Sequence, residues 1–174
     1  MEPSQRLTWI EAVHATPTML VLAVTGGGMA VVTDLLLVPG ASRTVLEVTV
    51  PYAETALTSM TGDAGSAVSL ETARAMAATA YERALALRPA GDVPVVGVAC
   101  TAALVTDRER RGSDRACVAW VDRNGANADE IVLEKAAAGE ASRARATQDR
   151  AVADQLLRII VVATGASVDS EAPE

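Results

Sequence analysis

Phenylalanine is missing from this chain of 174 residues, and tryptophan and tyrosine contribute two each. Half of the residues are apolar nonetheless. The core therefore has to be filled by Val, Ala, Leu and Ile, the mixture expected of buried strands covered by Ala-rich helices. Histidine is scarcer still, His14 being the only one. Cys100 and Cys117 are the only cysteines, and none of these three residues has metal-ligand spacing, so neither a metal site nor a disulfide framework is read. Both thiols lie in apolar contexts and read as buried and free, which suits a reducing cytoplasm. Lysine occurs once, as Lys135, and every other basic side chain is Arg. Positive charge is in deficit, with a net charge of −7, which argues against a nucleic-acid-binding surface. No basic segment followed by an apolar one opens the chain, so no secretory signal is read. The longest apolar stretch, Met19–Val38, could span a bilayer, but three adjacent glycines and Asp34 interrupt it, and no membrane span is expected.

What the chain does have is organised around that same stretch, MLVLAVTGGGMAVVTDLLLV. It reads as strand, glycine turn and helix, an arrangement that aims backbone N–H groups and a positive helix end at one spot. A phosphate or other anion fits there, held by Thr25, Gly26, Gly27 and Gly28. The continuation Pro39-Gly40-Ala41-Ser42-Arg43-Thr44 adds a hydroxyl and a guanidinium.

Before it, Pro3–Ala15 reads as a helix ended by Thr16-Pro17-Thr18. His14 at its end is either a capping or packing residue or a proton carrier. Strand one is Met19–Val24, and a helix is expected from Gly27 to Val38. Thr44–Val50, dense in β-branched residues, reads as strand two. Its Glu47 is either solvated or turned toward Arg43. A short helix runs from Pro51 to Thr61, and Ser69 caps a long one over Leu70–Leu87. Val93–Cys100 is a continuous apolar strand, hence central, and a polar loop, Thr101–Arg111, follows it. Strands at Arg115–Val121 and Glu130–Glu134 flank Asp122-Arg123-Asn124-Gly125, where Asn-Gly suggests a type I′ turn. A last helix spans Ala141–Ala163.

This order implies one domain over residues 1–166, a three-layer α/β/α sandwich with a mixed sheet. Residues 167–174 form an acidic, proline-containing tail expected to be disordered. Ligands in such folds gather beyond the carboxyl ends of the strands. Thr25–Gly28, Tyr52 and Thr101–Arg111 meet there, whereas Pro39–Arg43 lies at the opposite end of the second helix and would need a bent-back loop or a neighbouring subunit.

In these motifs the chain resembles the CinA C-terminal family, the nicotinamide mononucleotide deamidase group. The family's strand ending Glu-Ser-Cys-Thr-Gly-Gly is represented by Leu22-Ala23-Val24-Thr25-Gly26-Gly27, and its Pro-Gly-Ser/Ala-Ser by Pro39-Gly40-Ala41-Ser42. Tyr52 stands where the family has a tyrosine, and Val68-Ser69 matches the pair that opens its long helix. The resemblance implies hydrolysis of the amide of nicotinamide mononucleotide by a serine with a lysine and a tyrosine beside it. Here the serine of the first motif is replaced by Ala23, while Ser42 of the second motif and Tyr52 survive; the lysine is replaced by Leu57, and the Thr-Gly-Ile-Ala-Gly-Pro loop by Cys100-Thr101-Ala102-Ala103-Leu104-Val105. A guanidinium stays protonated, so no Arg can replace the lysine as base.

The sequence is more similar to a divergent branch in which such a domain precedes a nucleotidylyltransferase-like domain. His14-Ala15-Thr16-Pro17-Thr18-Met19, Pro51-Tyr52, Thr101-Ala102-Ala103 and Thr106-Asp107-Arg108 carry that likeness. The first reading is a cytoplasmic, homo-oligomeric domain that binds a nucleotide or phosphate ligand through Thr25, Gly26, Gly27, Gly28, Arg43, Thr101, Thr106 and Arg108. It needs no cofactor or metal, has lost the amidase chemistry, and regulates or scaffolds a nucleotidylyltransferase-like partner. The second is an active amide hydrolase of altered substrate, with Ser42 as nucleophile, His14 or Tyr52 carrying the proton, and Glu47 or Asp107 orienting it. The third is a purely structural oligomer module.

Overall fold

The computed structural model describes residues 1–62, 65–107, 112–134 and 141–168. In chain order the elements are α1 (Pro3–Ala15), β1 (Met19–Thr25), α2 (Ala30–Leu37), a 3₁₀ turn (Ala41–Arg43), β2 (Val45–Thr49), α3 (Glu54–Thr61) and α4 (Leu70–Leu87), then β3 (Val95–Ala103), β4 (Arg115–Asp122), β5 (Gly125–Val132) and α5 (Ala141–Thr164). The five strands form one sheet in the order β2-β1-β3-β4-β5. β1 pairs in parallel with β2 and β3, while β4 and β5 continue antiparallel. The sheet is mixed, and helices cover both faces.

Strand periodicity divides the core in two. Leu20, Leu22 and Val24 of β1 and Val96, Val98 and Cys100 of β3 face a layer made by α1, α2 and α5. Val21 and Ala23, with Val95 and Ala99, face α3 and α4. Both central strands are buried on each side, which is why they read as unbroken apolar runs. α4 rests on β3 through Ala73, Ala77, Ala80 and Ala84, and these small side chains let its backbone approach the sheet closely. Ser69 caps it, accepting a hydrogen bond from the Thr72 N–H at 3.1 Å. On the other face Arg6 of α1, Asp34 of α2 and Arg150 and Asp154 of α5 tie three helices together by ion pairs of 2.7–3.6 Å.

Several boundaries differ from the sequence reading, each for a local reason. Gly26 and Gly28 have φ of +79° and +83°, outside the right-handed helical region, so α2 begins at Ala30 and not at Gly27. Pro94 cannot donate to the ladder, and β3 starts after it. β3 also runs on to Ala103, so the segment Thr101–Ala103 is strand and not loop. The Tyr52 N–H bonds the Val50 carbonyl at 2.9 Å, and α3 does not begin until Glu54. β5 begins at Gly125, directly paired with Asp122, and not at Glu130. It is a polar edge strand, so no apolar alternation marks it. The turn is not type I′ either, because no residue other than glycine has positive φ among those described. The Asp122 carboxylate accepts from the N–H groups of Asn124 and Gly125 at 2.7 and 3.1 Å, and this favours Arg123-Asn124 as the corner.

Candidate functional site

The chain runs outward from β1 to β2 on one face and returns to β3 on the other face. The connections that leave the carboxyl ends of β1 and β2 therefore diverge, and a crevice opens beyond the strand ends, the usual place for a ligand in an open α/β sheet. Thr25 and Thr101 are register partners at those two ends. Two adjoining hollows of about 400 and about 480 Å³ open above them and share Gly26, Tyr52, Val68 and Ala102. The inner hollow is walled by α3 through Glu54, Leu57, Thr58 and Thr61. Leu104, Thr106, Asp107 and Arg145 line the outer one.

The inner hollow is rich in hydroxyls and holds no cation among its described lining residues. Thr25 is only 7% exposed, and its hydroxyl has no hydrogen-bond partner among the described residues, so a bound molecule can use it. The Thr101 hydroxyl donates to the Ala67 carbonyl at 2.6 Å and keeps its lone pairs. Tyr52 is 69% exposed and stands at the junction of the two hollows. The Glu54 carboxylate, in the first turn of α3, has no ion-pair partner among the described residues.

At the glycine turn the geometry departs from the sequence reading. The anion expected at the start of α2 is supplied by the chain itself. The Asp149 carboxylate of α5 accepts from the Met29 N–H at 2.9 Å and the Ala30 N–H at 3.0 Å, satisfying two donors at the positive end of the helix. Gly27 and Gly28 are buried, their absent side chains making room for Leu104 and Val152. Their place in the ligand set is taken over by packing, and of the three glycines only Gly26 borders the cleft. Arg145 donates to the carbonyls of Gly26 and Val105 at 3.1 and 3.0 Å. Gln148 accepts from the Val105 N–H at 2.8 Å and donates to Asp114 and to the Glu134 carbonyl. One face of α5 thus clamps the β1–α2 turn, the end of β3 and the ends of the β4–β5 hairpin. An Asp149→Ala variant is expected to lose about 1–3 kcal/mol, the range for a charged cap that leaves two amides unmet. Urea denaturation of the variant against the parent measures it.

Sequence reasoning missed Arg145, Gln148 and Asp149. A signal existed: they continue, at helical spacing, the face on which Val152 and Leu156 are buried. Polar residues extending an apolar stripe have backbone to bind rather than core to fill.

His14, Ser42 and Arg43 lie elsewhere. The Leu20 N–H donates to the Thr44 carbonyl, which puts the segment before β2 beside the start of β1, at the end of the sheet opposite Tyr52. Ser42 and Arg43 are exposed there on the 3₁₀ turn. His14 is buried, with Nε2 at 3.0 Å from the Leu35 carbonyl and Nδ1 at 3.0 Å from the Thr44 hydroxyl. The Leu35 carbonyl can only accept, so Nε2 carries a proton, and the Thr44 hydroxyl occupies Nδ1. Within one chain these three residues do not join the Thr25–Tyr52–Thr101 cleft. Glu47 is not turned toward Arg43: it pairs with Arg83 of α4 at 2.8 Å. Thr106 lines the outer hollow, whereas Arg108 and Lys135 lie outside the described residues, as does the tail beyond residue 168.

Burial, and secondarily the Arg43 guanidinium, hold the His14 pKa below its usual 6.5. The bond to the Leu35 carbonyl works in the opposite direction. The unfolded chain thus takes up a proton near pH 6.5 that the native chain takes up only at lower pH. Stability is expected to fall as pH drops through about 6.5, and a His14→Gln variant to lack that component. Urea titrations at intervals between about pH 7.5 and 5.5 read the slope.

No family model matches the sequence, and no curated protein matches it. Solved structures do. The competence/damage-inducible protein CihA from Agrobacterium tumefaciens superposes with a TM-score of 0.64 at 21% identity, over 91% of this chain and 98% of its own. A competence-damaged protein (CinA) superfamily protein from Escherichia coli gives 0.65 at 18% identity, over 91% and 93%. A competence or damage-inducible protein from Enterobacter asburiae gives 0.65 at 15%, over 91% and 96%. The chain has the CinA fold. At such identities the likeness is one of architecture, so the chemistry of this CinA-like domain has to be argued from its own side chains. Among the described residues, no helix is long and apolar enough to cross a membrane. Also among them, no cluster of His, Cys, Asp and Glu could hold a metal ion.

Proposed function

We propose that this CinA-like domain binds a nucleotide or another phosphorylated small molecule in the cleft between β1 and β3, and does not hydrolyse it. One observation supports the reading above others. At the position that the family resemblance gives to the lysine, Leu57 lines the cleft, and Ser42, the motif serine that survives, is exposed at the opposite end of the sheet. Neither hollow has a His, Lys or Cys among its described lining residues. A hydroxyl such as that of Thr25 is a weak nucleophile without an amine or imidazole to remove its proton.

The binding half of such a site is better provided. The two hollows have the volume of a small-molecule pocket. Arg145 is the one cation among the described lining residues of the outer hollow, beside Gly26 and Thr106, and suits a phosphate. The hydroxyls of Thr25, Thr58 and Thr101 suit the neutral, hydroxylated part of the molecule, with the exposed Tyr52 ring at the junction as a stacking surface. The resemblance to the divergent branch supports a cytoplasmic homo-oligomer acting beside a nucleotidylyltransferase-like partner as the setting for such binding.

Calorimetric titration with nicotinamide mononucleotide tests the assignment. Saturable binding is expected, weakened about tenfold or more in Arg145→Gln, because a charge-assisted bond to phosphate is worth about 1.5–3 kcal/mol. Binding that is equally strong in the variant would place the phosphate elsewhere.

A further inference from the structure

On the far side of α3 from the cleft, a groove of about 470 Å³ opens against β2. α4 packs over β1, β3 and β4 and touches β2 little, so the sheet face at this edge is left partly uncovered. α3 is the wall between the two cavities: Leu57 and Thr58 line the cleft, Ser59 and Met60 the groove. Val50, Ala56 and Met60 give the groove an apolar surface, over a floor in which Val21 and Ala80 are buried. At its rim Arg83 donates to Glu47 twice, from Nε at 2.8 Å and from Nη2 at 3.0 Å. Arg83 keeps its Nη1 donors, and the Glu47 oxygens keep further lone pairs, at a mouth where Arg83 is 52% exposed. The Thr49 hydroxyl in the wall is buried and has no hydrogen-bond partner among the described residues.

We propose that this groove is a second ligand site, for a free α-amino acid with an apolar side chain. The ammonium meets Glu47, the carboxylate meets Arg83, and the side chain lies on Val50, Ala56 and Met60. The paired acid and base select a zwitterion over its relatives. A simple carboxylic acid brings a second negative charge to Glu47, a simple amine brings a second positive charge to Arg83, and only the zwitterion answers both. The groove volume lies at the lower end of the range for small-molecule pockets, in keeping with a ligand of this size. The site shares α3 with the cleft but none of its lining residues, so it stands or falls independently of the nucleotide reading.

The test uses L-leucine as probe, read by the ¹³C-methyl resonance of Met60 in protein labelled at methionine. Leucine is expected to shift that resonance saturably, with a Kd on the order of 1 mM for so small a ligand. Leucinamide, which lacks the carboxylate, and 4-methylpentanoate, which lacks the ammonium, are each expected to bind about tenfold more weakly. Arg83→Gln and Glu47→Gln are expected to weaken leucine by a similar factor. The analogues are read on the unaltered protein, so the result does not depend on the variants folding. A Met60 resonance that leucine leaves unmoved, or that all three compounds move with equal affinity, overturns the proposal.

Discussion

Replacing Gly97 by alanine is expected to destabilise the domain by about 3–5 kcal/mol, enough to lower its melting temperature by about 10 °C. Gly97 lies near the start of β3, where α4 packs against it. A β-carbon there would come within 2.2 Å of the Tyr81 amide nitrogen and 2.4 Å of the Ala77 carbonyl oxygen. Both are backbone atoms of a helix, so no rotamer change relieves the clash. Instead the helix has to lift, and lifting it loosens the contacts of Ala73, Met76, Ala77 and Ala80 with the sheet. The cleft lies at the other end of β3, so the fraction that stays folded is expected to bind ligand normally. Differential scanning calorimetry with a binding titration on the same sample checks both halves.

Gly26→Ala is expected to cost about as much in stability and to abolish cleft binding as well. Two effects add. With φ at +79°, a side chain costs about 1–2 kcal/mol in backbone strain. The new β-carbon would also stand 1.9 Å from the Ala102 carbonyl oxygen of β3. Relief requires the β1–α2 turn to move away from β3, which breaks the bond from Arg145 to the Gly26 carbonyl and pulls apart the paired Thr25 and Thr101 that line the cleft. The contrast with Gly97→Ala separates general loosening from damage to the site. Ligand affinity that survives in Gly26→Ala would mean that the turn does not shape the cleft.

Much of the architecture could be read in advance because its central strands are buried on both sides. Val93–Cys100 could only be central, and Ser69 with Glu71 announces a helix start that the structure places at Leu70. β5 was harder: Ala126–Glu130 carries no apolar alternation because an edge strand with a solvated face needs none. The three glycines were read as an anion cradle, yet a glycine chosen for ligand access and one chosen for tight packing look alike in a sequence. What separates them is the neighbour, and the neighbours here are distant in sequence: Leu104 and Val152 against Gly27 and Gly28, and Asp149 on the amides of Met29 and Ala30. Tyr52, Thr25 and Thr101 could be brought together from strand order alone. The same order put Ser42 and Arg43 at the opposite end of the second helix, as found, whereas the place of His14 could not be read, since its burial against Leu35 and Thr44 is a matter of tertiary packing.

The glycine turn is thus less a phosphate loop than a packed turn clamped by α5, and the open polar surface of the site lies next to it, at Thr25, Thr101 and Arg145. The most direct test of a cleft that binds without hydrolysing is to incubate the protein with nicotinamide mononucleotide and follow ammonia. The account predicts none above the protein-free control at ligand concentrations that saturate the calorimetric titration. Sustained ammonia release, above all release abolished by Ser42→Ala, would contradict it and make the domain a working amide hydrolase.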